Sequence, residues 1–114
     1  MNRKMVSEEL VKISKMLVAS SRYGWIIDND YISGGSDNRK GTSGPRGISP
    51  EMLHSLKSGE GDKFQMFDDD KELYYSGRIV GDYYGFEPLD DFGEPNAGCT
   101  LIKYVSGPNK GRFL

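Results

Sequence analysis

The chain has 114 residues, 36% of them hydrophobic, with 15 glycines; that allows one hydrophobic core, too little for two, and a large share of turn and loop. No apolar run is long enough for a transmembrane helix. The net charge of −2 divides unevenly, +3 over residues 1–57 and −5 over 58–114, so the aromatic-rich half is the acidic one and nucleic-acid binding is disfavoured, because stacked bases would carry phosphates against carboxylates.

Val6, Leu10, Ile13 and Leu17 recur every three or four positions, which predicts an amphipathic helix over residues 7–21. Ser7 suits the N-cap, Glu8 and Glu9 suit the first turn, and Glu8 with Lys12 makes a favourable i,i+4 pair. The expected role is packing on a sheet; a detachable handle for a partner is the alternative. Glu8, Glu9, Lys12 and Lys15 interrupt any apolar signal-peptide core, so no secretory leader is expected.

Residues 23–32, YGWIIDNDYI, alternate as a strand, with Trp25, Ile27 and Tyr31 on one side and Ile26, Asp28, Asp30 and Ile32 on the other. Residues 33–47 are rich in Gly and Ser and carry Arg39, Lys40 and Arg46; they are expected to form a loop, mobile in its first part. GTSGPRG could form an anion-binding nest, but it lacks P-loop spacing, and pairing of Arg46 with a structural carboxylate is expected instead. Ser49-Pro50-Glu51 reads as the start of a second, short helix that ends at the SGEG run.

Strands are expected at 63–68 and 72–80, joined by a turn at Asp68-Asp69-Asp70-Lys71. Residues 81–98 read as a loop stiffened by Pro88 and Pro95 and folded back on the domain, because Tyr83, Tyr84, Phe86, Leu89 and Phe92 need cover. Residues 100–105 form the last strand.

Three acidic groups invite a metal or acid–base reading: Asp28/Asp30, Asp68–Asp70, and Glu87/Asp90/Asp91/Glu94. None has EF-hand spacing, and solvated turns account for them without a metal. Cys99 and His54 are single residues of their kinds, which excludes a Cys/His zinc site and any internal disulfide. A Cys99–His54 nucleophilic pair is formally available, but a buried structural thiol is the expected role.

The succession WIIDNDYI, GTSGPRG, FQMFDDDKELYYSGRIVGD and GFEPLDDFGEPNAGCTLIKY resembles a group of small uncharacterised proteins of bacteria and tailed phages. The resemblance spans residues 23–105 and is most specific in the FEPLDDFG-x-PNAGCT-x-I-x-Y segment. It implies a single compact domain and a phage or bacterial provenance, with no activity attached. This chain has DDDK where the group has DDDG, which removes a glycine suited to a left-handed turn position.

The expectation is therefore an α+β domain spanning 1–114: an antiparallel sheet of about four strands, the N-terminal helix packed on one face, a second short helix, and frayed ends at 1–6 and 107–114. The expected function is a non-enzymatic binding or accessory module of phage or mobile-element origin, in the cytoplasm of a bacterial host, with no cofactor, metal or membrane association. Its binding residues for a protein or small-molecule partner are Arg39, Lys40, Arg46, Tyr83, Tyr84, Glu87, Asp90 and Asp91, where loops concentrate. The alternatives are a small hydrolase or transferase using carboxylates among Asp68, Asp70, Asp82, Asp90 and Asp91, and a phage structural or packaging-associated component.

Overall fold

A computed structural model of the chain describes residues 21–33 and 38–114. Apart from Ser21, the helix expected over 7–21 lies outside the described residues, as do positions 34–37 of the Gly/Ser-rich loop.

Alternating apolar residues place β1 (Tyr23–Asp30) across the sheet from β4 (Leu73–Gly81), with Trp25 opposite Ile79 and Ile27 opposite Gly77. The sheet has five antiparallel strands in the order β2-β1-β4-β3-β5, where β2 is Ser43–Gly44, β3 is Asp62–Phe67 and β5 is Leu101–Tyr104. The fifth strand is the short β2, which the glycine-rich loop forms by running back along Trp25 and Ile26.

A register shift between Ile27 and Asn29 reverses the alternation beyond it. Asn29 donates to Ser76 Oγ at 2.9 Å, and the Tyr31 hydroxyl lies 3.5 Å from the same oxygen. Tyr31 therefore leaves the Trp25 side, contrary to a simple reading of alternation, and is 54% exposed. One extra residue moves every later side chain to the other face.

The β3–β4 turn is held by Asp68, whose Oδ1 accepts from the N–H groups of Asp70 and Glu72, both at 2.9 Å. Lys71 sits at φ +63° in this turn, the left-handed conformation that glycine occupies at least cost. In the middle of β4, Gly77 lies against the Ile26 carbonyl oxygen and the Phe64 ring, so a Cβ there has no room.

Trp25, Ile27, Phe64, Met66, Tyr75, Ile79, Ile102 and Tyr104 form the buried face of the sheet. Residues 87–97 cover that face. They were expected as loop but are helical, with a π-helical turn at Leu89–Gly93 followed by a short α turn at Glu94–Ala97. Proline misleads here because both prolines stand in the first turn of their segments, where a missing N–H costs nothing. Leu89 and Phe92 enter the core, with the Phe92 ring 5.4 Å from Trp25 and 4.9 Å from Tyr75.

The opposite face is covered at one end by α1 (Pro50–Lys57), which starts as expected: Ser49 Oγ accepts from Met52 N–H at 3.2 Å. Leu56 is its buried residue, and Ile48 and Met52 close over Gly24. On this face Arg78 forks onto Asp28, with Nε and Nη2 each 2.8 Å from a carboxylate oxygen. Its Nη1 also donates to the carbonyls of Leu56 (2.7 Å) and Glu60 (2.8 Å), fixing the end of α1 to the sheet.

The segment 107–114, expected to fray, is held along β5. Tyr104 N–H donates to Arg112 O at 3.2 Å, Gly111 N–H to Tyr104 O at 2.8 Å, and Leu114 N–H to Ile102 O at 2.8 Å.

Candidate binding surface

The acidic groups that suggested chemistry have structural work to do. Asp28 is paired with Arg78. Burial works to raise the Asp30 carboxyl, but the N–H groups of Arg39, Ser33 and Ile32 outweigh it and hold the group below its ordinary range. Asp68 orders its own turn, and Asp69 accepts from the Thr100 hydroxyl at 2.6 Å. Asp68 and Asp70 stand at one end of β4 and Asp82 at the other; nine residues separate the ends, about 30 Å of strand. The five carboxylates of the hydrolase reading are thus split between two ends of the sheet. Among the described residues no group of three or more His, Cys, Asp and Glu side chains could hold a metal ion.

Cys99 is buried in the core between the helical segment and the sheet, while His54 is exposed on α1 over the other face. The sheet lies between them. Burial, and secondarily the charge of Asp68, push the thiol up to about 11, the behaviour of an inert structural cysteine.

Of the eight expected binding residues, Arg39 and Lys40 stand apart. The Arg39 N–H reaches Asp30 and the Lys40 N–H reaches Asn38, which places both at the far end of β1 from Tyr23. Arg46 lines an open crevice of about 390 Å³ with Trp25, Ser43, Gly44, Pro45 and Asp91. It makes no ion pair with Glu87, Asp90, Asp91 or Glu94, contrary to expectation. The one of those carboxylates that shares the crevice is already engaged: Asp91 Oδ2 accepts from the Tyr23 hydroxyl at 2.8 Å and from Trp25 Nε1 at 3.0 Å. Burial first, then the Asp91 hydrogen bond, push the Tyr23 phenol far above its ordinary range.

Tyr83, too, turns inward. Its ring stacks on Tyr104 with centroids 5.7 Å apart, and its hydroxyl donates to Asp62. Burial and then that hydrogen bond raise its phenol pKa strongly. The Tyr104 hydroxyl closes the same corner by donating to Gly85 O at 2.9 Å.

What remains on the outside is Tyr84, 85% exposed, with Phe86 at 48%. The backbone beneath the Tyr84 ring is pinned. Glu87 accepts from the N–H groups of Tyr84 and Gly85, one on each carboxylate oxygen at 2.7 Å, and Asn109 Nδ2 donates to Tyr84 O at 3.1 Å. Exposed Asp82 and Asp90 belong to the same segment, and Asp90 N–H donates to Phe86 O at 2.9 Å. Phe86 was not among the expected binding residues, yet it stays half-exposed beside Tyr84, although cover was expected for both. Glu87, placed two and three residues after the amides that it clamps, was the available signal.

The chain matches no protein-family model, and no curated protein or solved structure matches it. Its class rests on its own architecture: a small α+β domain built on a five-stranded antiparallel sheet. No helix among the described residues is long and apolar enough to cross a membrane.

Proposed function

We propose that the chain is a non-enzymatic binding or accessory protein of phage or mobile-element origin, acting in the cytoplasm of a bacterial host. It engages a protein partner through the surface around Tyr84 and Phe86. The observation that carries this reading is the exposed Tyr84 ring on a backbone held by Glu87 and Asn109. An aromatic side chain has few rotatable bonds, and a fixed backbone lowers the ordering cost of docking it, which is why such residues dominate binding energy at interfaces. Asp82 and Asp90 beside it favour a partner surface that is basic around an apolar centre. The proposed origin rests on the resemblance of the motif succession between residues 23 and 105 to small phage and bacterial proteins, and the single buried thiol suits a reducing compartment.

The experiment is affinity capture from host lysate with the wild type and with Tyr84→Ala/Phe86→Ala, after matching their melting temperatures. Partners retained by the first and lost from the second support the reading. Identical retention by both sinks it.

A further inference from the structure

A second exposed aromatic stands on the opposite side of β5. Phe113 bridges to Lys103, and adjacent residues of a strand face opposite ways, so Phe113 and Lys103 project away from the face on which Tyr104 stacks against Tyr83. The Phe113 ring is 46% exposed and rests 5.6 Å from Phe67. The ammonium groups of Lys103 and Lys71 lie 5.3 Å and 5.7 Å from its centroid. Carboxylates neighbour Lys71 in its turn: Asp68 is spent on backbone amides and Asp69 on Thr100, while the exposed Asp70 and Glu72 flank Lys71 itself. A polyanion would meet that acidic turn, whereas one or two carboxylates flanking an aromatic ring would meet the lysines.

The molecule itself carries such a group. We propose that the Tyr84/Phe86 surface of one copy docks on the Phe113 surface of a second, with Asp82 and Asp90 facing Lys71 and Lys103. This rests on the reading of the Tyr84 surface as a protein-binding site and names a second copy of the chain as its partner. Both surfaces are tied to backbone hydrogen bonds and lie on opposite faces of β5, so one copy cannot satisfy itself. A net charge of −2 leaves little general repulsion between copies. Because the two surfaces differ, the contact is head-to-tail: each dimer keeps one free surface of each kind and extends into chains or closes into a ring. The interface is small and part-electrostatic, so association is weak and weakens further with salt.

Analytical ultracentrifugation over a concentration series tests this. The wild type is expected to exceed dimer mass at high concentration and low salt, while Tyr84→Ala and Phe113→Ala are each monomeric. Mixed, the two variants pair through their one remaining intact combination and stop at the heterodimer. Lys103→Glu replaces Phe113→Ala if the latter lowers the melting temperature. A wild type that stays monomeric throughout overturns the proposal, as does a mixture that stays monomeric while the wild type associates. Partner capture lost from Tyr84→Ala/Phe86→Ala alongside a monomeric wild type would overturn self-association and leave the protein-binding reading standing. Self-association that survives Tyr84→Ala overturns the docking geometry.

Discussion

The indole N–H of Trp25 donates at 3.0 Å to Asp91 Oδ2, joining the first described strand to a π-helical turn 66 positions later. The same oxygen accepts from Tyr23, so one carboxylate ties the start of β1 to the helical cover of the core. Trp25→Ala removes both the ring from the core and the bond, and should cost about 3–5 kcal/mol. Asp91→Ala leaves the ring in place and, at an exposed site, should cost about 1–2 kcal/mol for two charge-assisted bonds. Urea denaturation of the single and double variants gives the coupling, which should be positive; strictly additive losses would contradict the link.

Among the described residues Arg78, and not Arg46, is the arginine whose fork grips a carboxylate. Its side chain is 12% exposed against 32% for Asp28, and it also holds two carbonyls at the end of α1. Arg78→Lys and Arg78→Ala should both destabilise by about 1–3 kcal/mol, because the single nitrogen of an ammonium cannot reproduce a fork that spans four acceptor atoms, two on Asp28 and the carbonyls of Leu56 and Glu60. Arg46→Ala should stay within about 0.5 kcal/mol of wild type. Equal effects at the two positions in thermal melts would contradict this assignment.

Two glycine-related positions should respond in opposite directions. Gly77→Ala drives a Cβ into the Ile26 carbonyl and should destabilise by about 1–3 kcal/mol or prevent folding. Lys71→Gly relieves a left-handed residue and should be neutral or stabilising by up to about 1 kcal/mol. Melting temperatures of the two variants, measured together, check the signs.

Stability should fall at both pH extremes for different reasons. The Cys99 thiol keeps its proton up to about 11 when folded, against 9.0 ordinarily; its contribution is fully present below pH 9.0 and disappears as pH rises toward 11. The Tyr23, Tyr83 and Tyr104 phenols are raised as well and act with the same sign at still higher pH. On the acid side, the lowered Asp30 carboxyl contributes stability above 3.8 and loses it as pH falls through its folded value. Urea midpoints across pH should show that Cys99→Ala removes part of the alkaline slope and Asp30→Asn part of the acid one. Unchanged slopes would show that these groups titrate alike in the folded and unfolded chain.

Local pattern was enough to place most of the secondary structure. Alternation marked β1, β3, β4 and β5 to within a residue or two, Ser49-Pro50 marked the start of α1, and the aspartates marked the β3–β4 turn. These signals depend on side chains and backbone a few positions apart, which sequence shows directly. Tertiary structure alone decided that residues 87–97 coil into a helical cover, since prolines suit a loop and a first helical turn equally well. It also decided which arginine finds a carboxylate: Asp28 and Arg78 are 50 positions apart and meet only because β1 and β4 pair in the register that sets Ile26, on the Asp28 face, opposite Arg78. The same holds for the binding surface. The nine aromatics from Phe64 to Tyr104 look alike in sequence, yet Tyr83 is locked under Asp62 while Tyr84, one position on, is left outside. Burial is a property of what packs on both sides of a residue, and for this loop that neighbour is the segment 109–114, which reaches it only once β5 has joined the sheet.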